Sequence, residues 1–104
     1  MGTVKPLPLS DAGFLKRLRA IAKDSQRVYL TPHAKRRMVQ RRVNLRQVLE
    51  CLRKGRICEP AHLTIQGDWK ATLEHQYAGD RVKIVVAIEK QEDGDLAVVV
   101  TVMD

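Results

Sequence analysis

Asn44-Leu45-Arg46-Gln47-Val48-Leu49-Glu50-Cys51-Leu52-Arg53-Lys54-Gly55-Arg56-Ile57-Cys58-Glu59 is where the chain changes its period. Up to Lys54, the residues Leu45, Val48, Leu49 and Leu52 fall at i, i+3, i+4 and i+7, an apolar stripe along one helix face. Cys51 falls off that stripe. Asn44 offers the N-cap, and Gln47, three residues on, completes a capping-box pattern. Arg53 and Lys54 suit the negative end of the helix dipole, and Gly55 stands where a C′ glycine belongs. Beyond Gly55 the helical period stops. Arg56–Glu59 reads as a short strand ended by Pro60. Trp69–Tyr77, Val82–Ile88 and Leu96–Met103 read as longer strands, with turn residues at 66–68, 78–80 and 92–95.

Towards the N-terminus the signals are helical. Thr31 is a good N-cap and Pro32 suits the first helical position, so a second helix runs to about Arg42. Phe14, Leu15, Leu18, Ile21 and Ala22 recur at helical spacing behind Ser10, predicting a first helix over 11–23. Asp24–Gln26 reads as a loop, Arg27–Leu30 as a short strand, and residues 1–9, with Pro6 and Pro8, as an irregular lead. Helices fill 10–55 and strands fill 56–104. That segregation predicts an α+β fold of one domain, with three N-terminal helices packed on an antiparallel meander. The last two strands are apolar on both faces, which calls for a second cover or a partner, a second copy of the chain included.

The chain has 104 residues, 44% hydrophobic and 30% charged, the composition of one soluble globular domain. No apolar run approaches the ~20 residues of a membrane span, and no secretory pattern opens the sequence. Two cysteines, Cys51 and Cys58, are too few for a disulfide scaffold, read as reduced thiols, and fit a cytoplasmic location. No Cys/His cluster has zinc spacing, and no P-loop or dinucleotide fingerprint occurs, so neither metal nor cofactor is expected. The net charge of +7 is unevenly spread. Residues 1–56 carry 15 of the 19 Lys and Arg and 3 of the 12 Asp and Glu, a net +12, whereas 57–104 carry 4 and 9, a net −5. A field of that sign attracts phosphate polyanions, although it also serves simply to keep a small protein soluble.

The second helix concentrates the candidate chemistry. His33, Arg37 and Arg41 are four apart and share a row, with Ala34 and Met38 forming the adjoining buried one. Lys35, Arg36 and Arg42 lie further from that row and are further candidates to meet nucleic acid. Like charges at i, i+4 oppose helix formation, so the arginine row needs a counter-charge. Glu74, Glu89 or Asp95 of the sheet would supply it within the fold, and a bound anion would supply it from outside. His33 stands in the first turn, where free N–H groups and the helix dipole suit an oxyanion, and where a neutral imidazole can act as a base. On the sheet, His75 and Tyr77 share one face of a strand. They are nucleic-acid contacts or members of an exposed edge strand. His62 reads as a solvent-exposed loop residue, and Trp69 as a base-stacking ring or a core plug.

Thr31-Pro32-His33-Ala34-x-x-Arg37-Met38-x-x-Arg41-x-Val43, the capped helix to Gly55, Gly67-Asp68-Trp69 and the closing Val100-Thr101-Val102 together resemble the bacterial family called domain of unknown function 4258. The likeness spans roughly residues 14–103. That family is similar to RelE/ParE-type toxins, small metal-independent ribonucleases. The resemblance therefore implies a RelE/barnase-like (BECR-type) fold, with helices on a curved antiparallel sheet. It also implies an endoribonuclease whose catalytic residues are His33, Arg37, Arg41 and Thr101, together with an antitoxin partner. Some relatives carry a Tyr two residues after that Thr; Met103 stands there in this chain, without a hydroxyl. Two other classes stay open beside the ribonuclease: a non-catalytic nucleic-acid-binding module, and a protein-interaction domain whose arginine row is structural.

Overall fold

The computed structural model describes residues 9–77 and 79–103. The expected lead over residues 1–8, and Ala78 of the expected turn, lie outside the described residues. Helix α1 covers Asp11–Ala22, capped by the Ser10 side chain, which accepts from the Gly13 N–H. A short 3-10 turn over Ser25–Arg27 leads into strand β1, Val28–Leu30. Helix α2 covers Pro32–Arg41 and helix α3 covers Leu45–Lys54. The expected capping box is formed: Asn44 Oδ1 accepts from the Gln47 N–H, and Gln47 Oε1 accepts from the Asn44 N–H, both at 2.9 Å. Strands β2 (Arg56–Leu63), β3 (Trp69–Tyr77), β4 (Asp80–Gln91) and β5 (Gly94–Met103) follow.

The strands form one sheet in the order β1-β5-β4-β3-β2. The α+β class holds, but the sheet is mixed, not wholly antiparallel. β1 pairs parallel with β5, Val28 opposite Ala97 and Leu30 opposite Val99. The short strand from the helical half thus becomes an edge of the sheet, reached by a long crossover. β2 does not stop at Pro60. It continues to Leu63 with register shifts on either side of Glu59, and it is the other edge of the sheet, where a proline without an N–H is tolerated. His62 accordingly lies on a strand, exposed.

Helices α1 and α3 pack on each other and on the sheet, while α2 packs along β5. The core joins Phe14, Leu18 and Ala22 of α1 and Val48, Cys51 and Leu52 of α3 to Leu73, Ile84, Val86 and Val99 of the sheet. Cys51, set off the expected stripe, is fully buried, and Leu45, set on it, is 48% exposed; the helix is rotated so that Val48, Cys51 and Leu52 face inward. Trp69 packs against this core as a plug. The two-faced character of β4 and β5 is present: Val86 pairs with Val99 inside, and Ala87 pairs with Val98 on the opposite face.

Gly55 differs from expectation in its cause. Its φ is −69° and its ψ 167°, an extended conformation open to any residue. Glycine is required there by proximity, because a Cβ would run into the Cys51 carbonyl oxygen and sit 2.9 Å from that of Glu74.

Candidate functional site

β1 ends at Leu30, but β5 continues to Met103. Among the described residues, the outer edge of β5 beyond Val99 therefore has no strand partner, and its carbonyl groups need donors. α2 supplies them. The Thr31 N–H donates to the Val99 carbonyl at 3.2 Å. The Thr31 hydroxyl donates to the Val100 carbonyl at 2.9 Å while accepting from the Ala34 N–H at 3.0 Å, so a single side chain caps the helix and ties it to the sheet. Further along α2, Arg37 Nε donates to the Val102 carbonyl at 3.1 Å, and Arg37 Nη1 donates to Gln40 Oε1 at 3.2 Å. These bonds set the plane of the Arg37 guanidinium. The Thr101 hydroxyl reaches the same Val102 oxygen at 3.5 Å. Arg37 and Thr101 thus converge on one carbonyl, as candidates drawn from opposite halves of the chain.

The rest of the row stands outward. His33 and Arg41 are exposed and Arg37 is half-buried, while Ala34 is fully buried and Met38 packs against the core. The expectation that the whole row borders the core holds for Arg37 alone. The sheet carboxylates do not serve Arg37 as counter-charges. Glu74 is held by Arg56 and Arg81, at 2.8 and 2.7 Å, and Asp95 by Arg17 at 2.8 Å. Lys35, Arg36 and Arg42 are exposed. Lys35 and Arg42 flank a groove of about 440 Å³ whose floor includes Leu30, Met38, Val39 and Val43. Arg42 closes α2 in the left-handed region, φ 55°.

His75 lies elsewhere. β3 is an interior strand between β4 and β2, not an exposed edge, and the helix packed on it is α3, not α2. His75 lines a polar cleft of about 580 Å³ with Lys54, Arg56, Glu74, Gln76 and Arg81. Tyr77 pairs in register with Asp80; its side chain lies outside the description. Hydrogen bonds from Arg56, then from Arg81, hold the Glu74 carboxyl below its ordinary value of 4.5. Burial pushes the Cys51 thiol up to about 12, and Cys58 and Glu74 add to the shift. Cys58 is exposed, and neither cysteine is in a disulfide. Sequence reasoning missed Lys54, Arg56 and Arg81 as a group. Their meeting depends on strand register, which the residues alone leave open.

Among the described residues, no helix is long and apolar enough to cross a membrane, and no group of three or more His, Cys, Asp or Glu is placed to hold a metal ion. Comparison with family models matches residues 30–104 to a family described as "Domain of unknown function (DUF4258)". The match begins at the last residue of β1 and takes in α2, α3 and all four later strands. Comparison with curated proteins and with solved structures gave no match.

Proposed function

The chain belongs to the DUF4258 family, and from the geometry of its second helix we propose that it is a toxin-like, metal-independent endoribonuclease on a RelE/barnase-type fold. The observation that carries this reading is the α2 ridge itself. His33 is exposed, and Arg37 is oriented by a backbone carbonyl and, among the described residues, is paired with no carboxylate. Guanidinium groups suit a phosphodiester through paired N–H donation.

In this mechanism Arg37 and Arg41 hold the non-bridging oxygens of a phosphodiester and stabilise the charge that grows on them. His33 takes the proton of the neighbouring 2′-hydroxyl. The 2′ oxygen attacks phosphorus and the bond to the 5′ oxygen breaks. The products are a 2′,3′-cyclic phosphate and a 5′-hydroxyl, the latter protonated from water, whose hydroxide takes back the proton held by His33. Thr101, on the carbonyl that also holds Arg37, positions that arginine. Lys35, Arg36 and Arg42 extend the contact to flanking phosphates. The apolar groove between Lys35 and Arg42 suits an acidic amphipathic segment of an antitoxin. Met103 supports a second reading, in which the ridge binds RNA without cutting it, because no hydroxyl stands at that position to protonate the leaving group.

Incubation of the folded protein with single-stranded RNA in EDTA tests the reading. Fragments ending in 2′,3′-cyclic phosphate are expected. Intact RNA that is nonetheless retained, with salt-dependent affinity, would leave the binding reading. Intact and unbound RNA would overturn both.

A further inference from the structure

The polar cleft beside His75 and the α2 ridge open on the same end of the sheet. Register shows this directly. Arg56 pairs with Glu74, Glu74 with Lys83, and Lys83 with Met103, so the four form one row across β2, β3, β4 and β5. The row ends one residue from Val102, the residue whose carbonyl holds Arg37. At about 4.8 Å between neighbouring strands, β5 and β2 are about 14 Å apart. Arg37, Lys83 and Arg56 therefore mark out a basic band across this end, and Lys54 and Arg81 widen it at the cleft.

Among the described residues, Glu74 is the one carboxylate lining the cleft, against Lys54, Arg56 and Arg81. It does not cancel the site; it builds it. Glu74 Oε1 accepts from Arg56 Nε at 3.0 Å and from Nη2 at 2.8 Å, while Oε2 accepts from Arg81 Nη2 at 2.7 Å. Two long side chains are thereby fixed in place, so a bound anion would not have to order them. Lys54 is itself paired with Glu50 at 3.2 Å, so three cations face two carboxylates here and the cleft keeps a net positive charge; His75 adds a ring nitrogen.

We infer that this cleft is a second phosphate site, which takes a backbone phosphodiester of the same single-stranded RNA whose neighbouring segment lies on the α2 ridge. The inference rests on the RNA reading of α2 and adds a direction to it: the strand runs across the ends of β5, β4 and β3 towards β2.

Binding of a fluorescently labelled oligouridylate, long enough to reach both places, tests it by anisotropy over a salt series. The full chain is compared with Arg81→Gln, with Lys54→Gln and with Arg41→Gln. Lys54→Gln leaves the Glu74 pairs intact and gives up only an exposed i, i+4 pair with Glu50, so it reports on the cleft even if Arg81→Gln perturbs folding. Each cleft variant is expected to weaken binding several-fold and to lower the slope of log affinity against log salt by about 0.7 for each phosphate it no longer neutralises. A dinucleotide, too short to span both places, should not sense the cleft variants but should still sense Arg41→Gln. Cleft variants that bind the long RNA with wild-type affinity and slope, while Arg41→Gln is weakened, would overturn the second site and leave the α2 reading standing. A wild-type protein that binds neither RNA would overturn both.

Discussion

Helices α2 and α3 are both ten residues long, and in each the N-cap side chain accepts from the third helical N–H. They differ in what holds them down. α3 buries Val48, Cys51 and Leu52 between α1 and the sheet. Its basic end is also used internally, with Arg53 Nε donating to the Ala22 carbonyl at 2.8 Å. α2 fully buries only Ala34. Its attachment is polar, through Thr31 and Arg37 to the carbonyl groups that β1 leaves open on β5. A helix fixed along one line by hydrogen bonds leaves the rest of its surface in water, whereas a helix fixed by an apolar stripe is committed to the core. Charge counting alone does not separate these cases. Several arginines of the basic half, such as Arg17, Arg27 and Arg53, are tied to carboxylates of β5 and of the turn before it, or to carbonyls.

The sharpest way to break this contrast is truncation of the buried anchor. Leu52→Ala should cost about 2–5 kcal/mol, the range for emptying a packed core position. Met38→Ala, at a half-buried position of α2, should cost clearly less. Urea denaturation midpoints compare the two, and equal losses would erase the distinction. Next in size is the cap. Thr31→Ala removes both the α2 cap and the donor to Val100, and should cost about 1–3 kcal/mol. Asn44→Ala, which loses its cap bond without any tie to the sheet, should cost about 1 kcal/mol. The reverse order in thermal melts would show that α2 is not held by its polar line.

A smaller effect sharpens the account of the cleft. The ionised form of Glu74 is the one that Arg56 and Arg81 hold, so its folded-state value is lowered. Its contribution is present in full above the ordinary value of 4.5 and is lost as pH falls through the lowered one. The melting-temperature gap between wild type and Glu74→Gln should therefore be open at neutral pH and close in acid. A gap that widens in acid would contradict the pairing.

Local signals carried most of the helical layer into the sequence. Ser10, Thr31, and Asn44 with Gln47 mark helix starts because capping involves residues three apart. The His33, Arg37 and Arg41 row is equally local. What could not be read is what the row touches. Arg37 meets Val102 from 65 positions away, and no pattern in either segment encodes that meeting. The parallel partner of β1 was hidden for the same reason, since three residues carry no sign of strand direction. A proline argues against an interior strand, so the residues alone end β2 at Pro60, and only the topology reveals this strand as an edge. Gly55 was legible as a helix end but not as a close approach, which needs the Glu74 carbonyl in view.

The most direct test of the central claim is the cleavage rate of single-stranded RNA in EDTA for wild type, His33→Gln and Arg46→Gln. Arg46 is the exposed arginine on α3 that serves as the control. All three should melt alike. His33→Gln should lose about 100-fold or more, the scale of general base catalysis, and Arg46→Gln should keep its rate. A folded His33→Gln protein that cuts as fast as wild type, or equal losses on the two helices, would contradict the assignment of the chemistry to α2.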